Sequence, residues 1–196
     1  YSGFLGSAEQ VAIIKRLYAD YPHALRLVDP VMGDGGEIYA TYTPELCEAM
    51  GTLVDGADVL MPNLTEASML TGRTYPGLNG IIDALLALGA KNVVLKGVDR
   101  QDGIIRNYVA SATSGASGKQ EIAHDKLPFM THGTGDAFAS ALCGAVMAGR
   151  PLAESAHIAG EFVRHAMEST QFQPNHTERG VSFELDLDEL TRLVRR

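Results

Sequence analysis

Four short stretches of this sequence carry residue types suited to phosphate chemistry. The most informative is Gly133-Thr134-Gly135-Asp136. Two glycines around a threonine let backbone amides turn toward one point. The long apolar segment that follows predicts a helix, whose N-terminal end adds positive potential there. Gly133, Thr134 and Gly135 are therefore a candidate anion hole for a phosphoryl group in transfer. Asp136 falls in the first helical turn and is the candidate catalytic base, able to accept a substrate hydroxyl proton as the oxygen attacks phosphorus. The plainer reading is a glycine-rich turn before a core helix, with Asp136 favouring the helix N-terminus and nothing more.

Asp29-Pro30-Val31-Met32-Gly33-Asp34 places two carboxylates at or just after the end of a predicted strand, where α/β proteins gather ligands. Such oxygens suit Mg²⁺, so Asp29 and Asp34 are candidate metal ligands. Equally, Asp29 can cap the strand end and Asp34 can serve a turn. Asn63-Leu64-Thr65-Glu66 has capping-box spacing, with Asn63 as N-cap and Glu66 three residues on. Its functional reading puts Glu66 on a metal-bound water near phosphates, with Asn63 beside it. Lys96-Gly97 leaves another predicted strand. There the lysine can pair with nucleotide phosphates and the glycine permits close backbone approach, or the pair is an ordinary strand exit.

The elements that must position these residues alternate between helix and strand, the pattern of an α/β sheet covered by helices. Ser7 predicts a helix cap, followed by Val11, Ile14, Leu17 and Tyr18 on one face. Strands are expected at 25–28, 57–60 and 92–96, the last apolar enough for burial on both faces. Residues 30–42 read as a loop, Thr43-Pro44 starts a helix, and Gly72 closes the helix opened by Asn63. Residues 79–88 predict another helix. Strands near 103–110 and 119–124, joined by a Ser/Gly/Thr-rich turn, predict an antiparallel edge hairpin. Long helices are expected from Gly133 to about Gly149 and from Pro151 to about Thr170. A polar loop at 171–180, a strand at 181–185 and a final helix capped by Asp186 complete the reading, with residues 1–196 as a single domain.

At 196 residues, with 45% apolar and 20% charged residues, the chain has an ordinary globular composition. Its 16 basic against 24 acidic residues give a formal charge of −8, which argues against nucleic acid as a partner. No apolar run is long enough for a membrane span, and nothing resembles a signal peptide. Cys47 and Cys143 lack metal-type spacing, so a reducing, cytoplasmic setting is expected. The run from Gly115 to Gln120 resembles a P-loop but lacks its first-glycine spacing and the hydroxyl after lysine. His157 and His165 share a helix two turns apart. They read as structural or surface residues with no carboxylate partner at metal spacing.

Taken in order, Tyr1-Ser2-Gly3-Phe4-Leu5-Gly6-Ser7, Asp29-Pro30-Val31-Met32-Gly33-Asp34, Pro62-Asn63-Leu64-Thr65-Glu66 and Gly133-Thr134-Gly135-Asp136 resemble the pyridoxal kinases over essentially the whole chain. The resemblance implies a ribokinase-like three-layer fold, with a mostly parallel central sheet flanked by helices. It implies γ-phosphoryl transfer from ATP to the 5′-hydroxymethyl group of pyridoxal, pyridoxamine or pyridoxine. It also implies Asp136 as base, Asp29, Asp34 and Glu66 around metal and phosphates, and Tyr39 approaching the nucleotide phosphates. Family members are expected to be homodimers that require Mg²⁺, often with K⁺.

Two departures matter. Met61 stands where many relatives have threonine, and Lys96-Gly97 where some have Thr-Ser. The latter pair is more similar to hydroxymethylpyrimidine phosphate kinases, the alternative of the same fold. Those enzymes often carry cysteine after Gly-Thr-Gly and lack Gly-Asp after Asp-Pro-Val-Met, so Asp136 and Asp34 favour the vitamin B6 side. Family members also have a segment before the position equivalent to Tyr1. The expectation is thus an N-terminally incomplete domain, and a truncated nucleotide-binding chain without catalysis is a third reading.

Overall fold

The computed structural model of the chain describes residues 1–72 and 77–195. Helix α1 (Ala8–Asp20) leads to β1 (Leu27–Val28) and a small hairpin, β2 (Gly33–Asp34) and β3 (Glu37–Ile38). Then come α2 (Pro44–Gly51), β4 (Val59–Leu60), α3 (Leu64–Thr71), α4 (Leu78–Ala87) and three strands: β5 (Asn92–Asp99), β6 (Ile104–Ser111) and β7 (Gln120–Asp125). The rest is helical: α5 (Thr134–Met147), α6 (Leu152–Thr170), short α7 (His176–Arg179) and α8 (Leu187–Arg195).

The main sheet has the order β1-β4-β5-β6-β7. Leu27 and Val28 pair in parallel with Val59 and Leu60, and Leu60 pairs in parallel with Val93. Ser2 adds a parallel bridge to Val28 on the other side of β1. The later connections are too short for a parallel crossover, so β5, β6 and β7 alternate in direction. Two hydrogen bonds agree: Ala112 N–H donates to Lys91 O at 2.8 Å, and Lys126 N–H donates to Gly103 O at 2.9 Å. The mostly parallel sheet with an antiparallel edge is therefore as expected from the sequence.

Two compact units make up the described residues: Tyr1–Lys96 with Tyr108–Gln120, and Gly97–Asn107 with Glu121–Arg196. In the first, Val28, Leu60, Met61, Val93, Val94 and Leu95 are buried, which accounts for their near-continuous apolar runs. In the second, α5 and α6 bury their small faces, Ala139, Leu142 and Ala145 on one and Ala156, Ala159 and Ala166 on the other. No helix among the described residues is long and apolar enough to cross a membrane.

Three expectations differ from the structure. The loop at 30–42 contains the β2–β3 hairpin, in which Gly33 faces Ile38 and Asp34 faces Glu37. The polar segment 171–180 includes α7. The strand expected at 181–185 does not form. Val181 N–H donates to His132 O at 2.9 Å, Ser182 N–H donates to Thr170 Oγ1 at 2.8 Å, and Phe183–Asp186 then winds into a 3-10 turn. A strand needs a neighbour's ladder, and these amides are already held by α6 and the loop before α5.

Candidate active site

In the first unit the ends of β1 and β4, with the middle of β5, bring four of the predicted residues together. Asp29 follows β1 and is fully buried. Lys96, near the end of the apolar run in β5, sets its Nζ 2.5 and 2.6 Å from the two Asp29 carboxylate oxygens. This pairing satisfies both charges out of water, which neither of them could tolerate alone.

Asn63 follows β4 and caps α3. Its Oδ1 accepts from Glu66 N–H at 2.8 Å, and Glu66 Oε2 accepts from Asn63 N–H at 2.8 Å, which completes the capping box. These two side chains, with Thr65 between them, also hold the hairpin and the residue before it. Glu66 Oε1 accepts from Met32 N–H at 3.3 Å, Asn63 Nδ2 donates to Gly33 O at 2.8 Å, and Thr65 Oγ1 accepts from Gly36 N–H at 2.9 Å. The capping residues thus also fix the Asp29–Asp34 loop, a second role that local spacing did not reveal.

Glu66 is 2% exposed. Burial pushes its carboxyl up to about 7, and nearby Asp29 pushes the same way, while Lys96 and the Asn63 and Met32 amides act against them. A buried carboxylate titrating near neutrality is typical of sites that handle protons or cations. Asp34 is exposed, with Oδ1 accepting from Gly35 N–H at 2.8 Å. Tyr39, directly after β3, is exposed, its N–H donating to Met32 O at 3.0 Å.

Direct Mg²⁺ ligation by Asp29 does not fit this arrangement, because both of its oxygens face Lys96 Nζ. Both Glu66 oxygens likewise accept backbone amides. Of the three predicted metal ligands, Asp34 alone keeps an exposed carboxylate.

The second unit holds the other group. Gly133 is the N-cap of α5 in the left-handed region, at φ 83°, and no side chain caps this helix. Thr134, Gly135 and Asp136 form its first turn, and Asp136 is exposed. The amides here are free of a competing side-chain oxygen, so they can meet an anion. The preceding loop is braced from the C-terminal segment: His132 O takes the Val181 amide, and Thr131 Oγ1 donates to His176 O at 3.0 Å. These braces were not foreseen, because the segment read as loop and strand. Gly97 also lies in this unit at φ 68°, its N–H donating to Asn107 Oδ1 at 3.0 Å.

The model of the phosphomethylpyrimidine kinase family matches residues 2–182. The chain belongs to that family. The hydroxymethylpyrimidine/phosphomethylpyrimidine kinase of Bacillus subtilis is 28% identical over 173 residues, covering 86% of this chain and 63% of the relative. The pyridoxine/pyridoxal/pyridoxamine kinase of Bordetella avium is 32% identical over 178 residues, covering 86% and 59%. The chain therefore spans about three-fifths of the length of these relatives. The crystal structure of pyridoxal kinase from Lactobacillus plantarum superposes with a TM-score of 0.81 at 31% identity, over 98% of this chain and 69% of that one. The α/β architecture is ribokinase-like, and the resemblance to pyridoxal kinases holds at the level of family and fold.

Proposed function

We propose that this chain carries ATP-dependent phosphoryl transfer to the 5′-hydroxymethyl group of pyridoxal, pyridoxamine or pyridoxine. The observation that carries the reading is the start of α5, where Gly133 takes a left-handed turn, no side chain caps the helix, and Asp136 stands exposed in the first turn. The amides following Gly133 stabilise the charge that develops on the transferring group, and Asp136 takes the hydroxyl proton. Asp34, Asn63, Tyr39, Lys96 and Gly97 attend the nucleotide. Mg²⁺, and often K⁺, are expected of such a reaction. In this proposal Glu66 holds a water of the hydrated ion rather than the ion itself, in keeping with its two amide contacts. A homodimer in the cytoplasm completes the proposal.

A second reading, phosphorylation of hydroxymethylpyrimidine or its phosphate, is favoured by the Bacillus subtilis relative and by Lys96-Gly97. The deciding experiment is turnover of ATP with pyridoxal and with hydroxymethylpyrimidine in parallel. Preference for pyridoxal supports the first reading, and preference for the pyrimidine the second. Nucleotide binding without transfer, insensitive to Asp136→Asn, would leave a nucleotide-binding chain.

A further inference from the structure

A second group of chemically capable side chains lies in the Gly97–Asn107 and Glu121–Arg196 unit and has no part in the proposed transfer. His124 on β7 meets His157 and Glu161 on α6, and one ligand atom from each lies within 4.8 Å of the others. Glu161 is four residues after His157, one helical turn on, so the two project from one face. The reading of His157 as a histidine without a carboxylate partner is corrected here. Glu161 was in place all along, and the third member arrives from a strand 33 residues earlier.

The geometry around His124 is specific. Its side chain is only 5% exposed. The ring edge bearing both nitrogens faces α6 so closely that a Cβ on Gly160 would lie 2.1 Å from Cε1 and 2.5 Å from each nitrogen. Glycine at 160 is thus what lets the ring approach the helix. Nε2 sits 3.2 Å from the His157 carbonyl oxygen and 3.7 Å from Glu161 Oε1, while Nδ1 is buried with no hydrogen-bond partner among the described residues. A buried ring nitrogen without a partner calls for an electrophile or a donor. Its companion nitrogen on a backbone carbonyl is the arrangement that orients metal-bound imidazoles. The His157 ring stacks on that of His124 at 5.4 Å and is exposed. Glu161 Oε2 is held by Arg164 at 3.0 Å, which leaves Oε1 toward the histidines. An open cleft of about 410 Å³, bordered by Ile104, Asp125 and Arg164, gives solvent a way in.

We propose that His124, His157 and Glu161 bind one divalent transition-metal ion of the zinc type, tying β7 to α6. Two imidazoles and a carboxylate suit zinc, cobalt or nickel rather than Mg²⁺ or Ca²⁺. The spread of 4.8 Å closes to bonding distances by small side-chain movements, since His157 is exposed and Glu161 can turn Oε1 inward while Oε2 stays on Arg164. The remaining coordination positions face the cleft and take water.

The test is titration of the metal-stripped chain with Zn²⁺ by calorimetry, and with Co²⁺ followed by its visible absorption. The expected result is one equivalent bound, a rise in melting temperature, and a Co²⁺ spectrum of four- or five-coordinate type. His157→Ala and Glu161→Gln should each weaken binding by about tenfold or more. Because His157 is exposed, its variant keeps the fold even if His124→Ala does not. His165→Ala, on the same helix outside the cluster, should leave affinity unchanged. Absence of saturable binding, or an affinity in both cluster variants unchanged from that of the parent chain, overturns the proposal. None of these readouts depends on kinase activity.

Discussion

Lys96 Nζ lies 2.5 and 2.6 Å from the two carboxylate oxygens of Asp29, 67 positions away in the chain, and both side chains are almost wholly removed from water. The pair ties the middle of β5 to the residue that follows β1, on either side of β4. A lysine read from the sequence as a phosphate ligand is here the counter-ion of a carboxylate read as a metal ligand. In this arrangement each satisfies the other.

Breaking that pair strands a buried charge. Lys96→Met or Asp29→Asn should each cost about 3–5 kcal/mol of stability in urea denaturation. A loss below about 1 kcal/mol would put the pair in the class of exposed ion pairs. If Lys96 also meets the nucleotide, Lys96→Met will raise the KM for ATP even at temperatures where the variant is folded.

Glu66 makes stability depend on pH. Its folded carboxyl is raised from 4.5 to about 7, so the folded chain binds this proton more tightly than the unfolded one. The contribution is full below about pH 4.5 and is lost as pH rises through about 7, worth roughly 3 kcal/mol across the window. Denaturation of the parent and of Glu66→Gln at about pH 5 and pH 8 should show the parent losing ground at the higher pH. Parallel pH profiles would contradict the raised carboxyl.

Asp136→Asn keeps the shape of the α5 turn and removes the base. Turnover should fall about 10²–10⁴-fold with an unchanged melting temperature, since Asp136 is exposed. Activity near the parent's would remove Asp136 from the proposed mechanism.

Two glycines should be irreplaceable for different reasons. Gly133→Ala forces a side chain into the left-handed region, at roughly 1–2 kcal/mol, and should lower turnover by disturbing the amides it leads into. Gly33→Ala would set a Cβ 2.3 Å from Glu37 O, so the β2–β3 hairpin must open. Protease cleavage within residues 33–38 reads that opening. Resistance equal to the parent's would show that the hairpin can absorb the methyl group.

The helix ends and buried strands were legible because their signals are local. Asn63 and Glu66 declared their cap by spacing alone, and the apolar run at 93–95 declared its burial. The alternating Val181, Phe183 and Leu185 also looked like a strand, but pairing depends on a free neighbour that no local pattern reports. The spacing of His157 and Glu161 was passed over in the sequence, and His124 carried no local signal, because β7 reaches α6 only in the folded chain.

By itself, then, the sequence determined the alternation of helices and strands, the glycine-led start of α5, the capping box at α3, and membership of a kinase-like family. Those depend on residue types within a turn or two of one another. The tertiary structure alone decided that Lys96 answers Asp29, that Asn63 and Glu66 anchor the hairpin as well as the helix, and that His124 joins His157 and Glu161. Each of these joins groups tens of residues apart in the chain, and only the fold brings them within reach; for Lys96 and Asp29 burial makes the joining obligatory, because a charge removed from water must be paired.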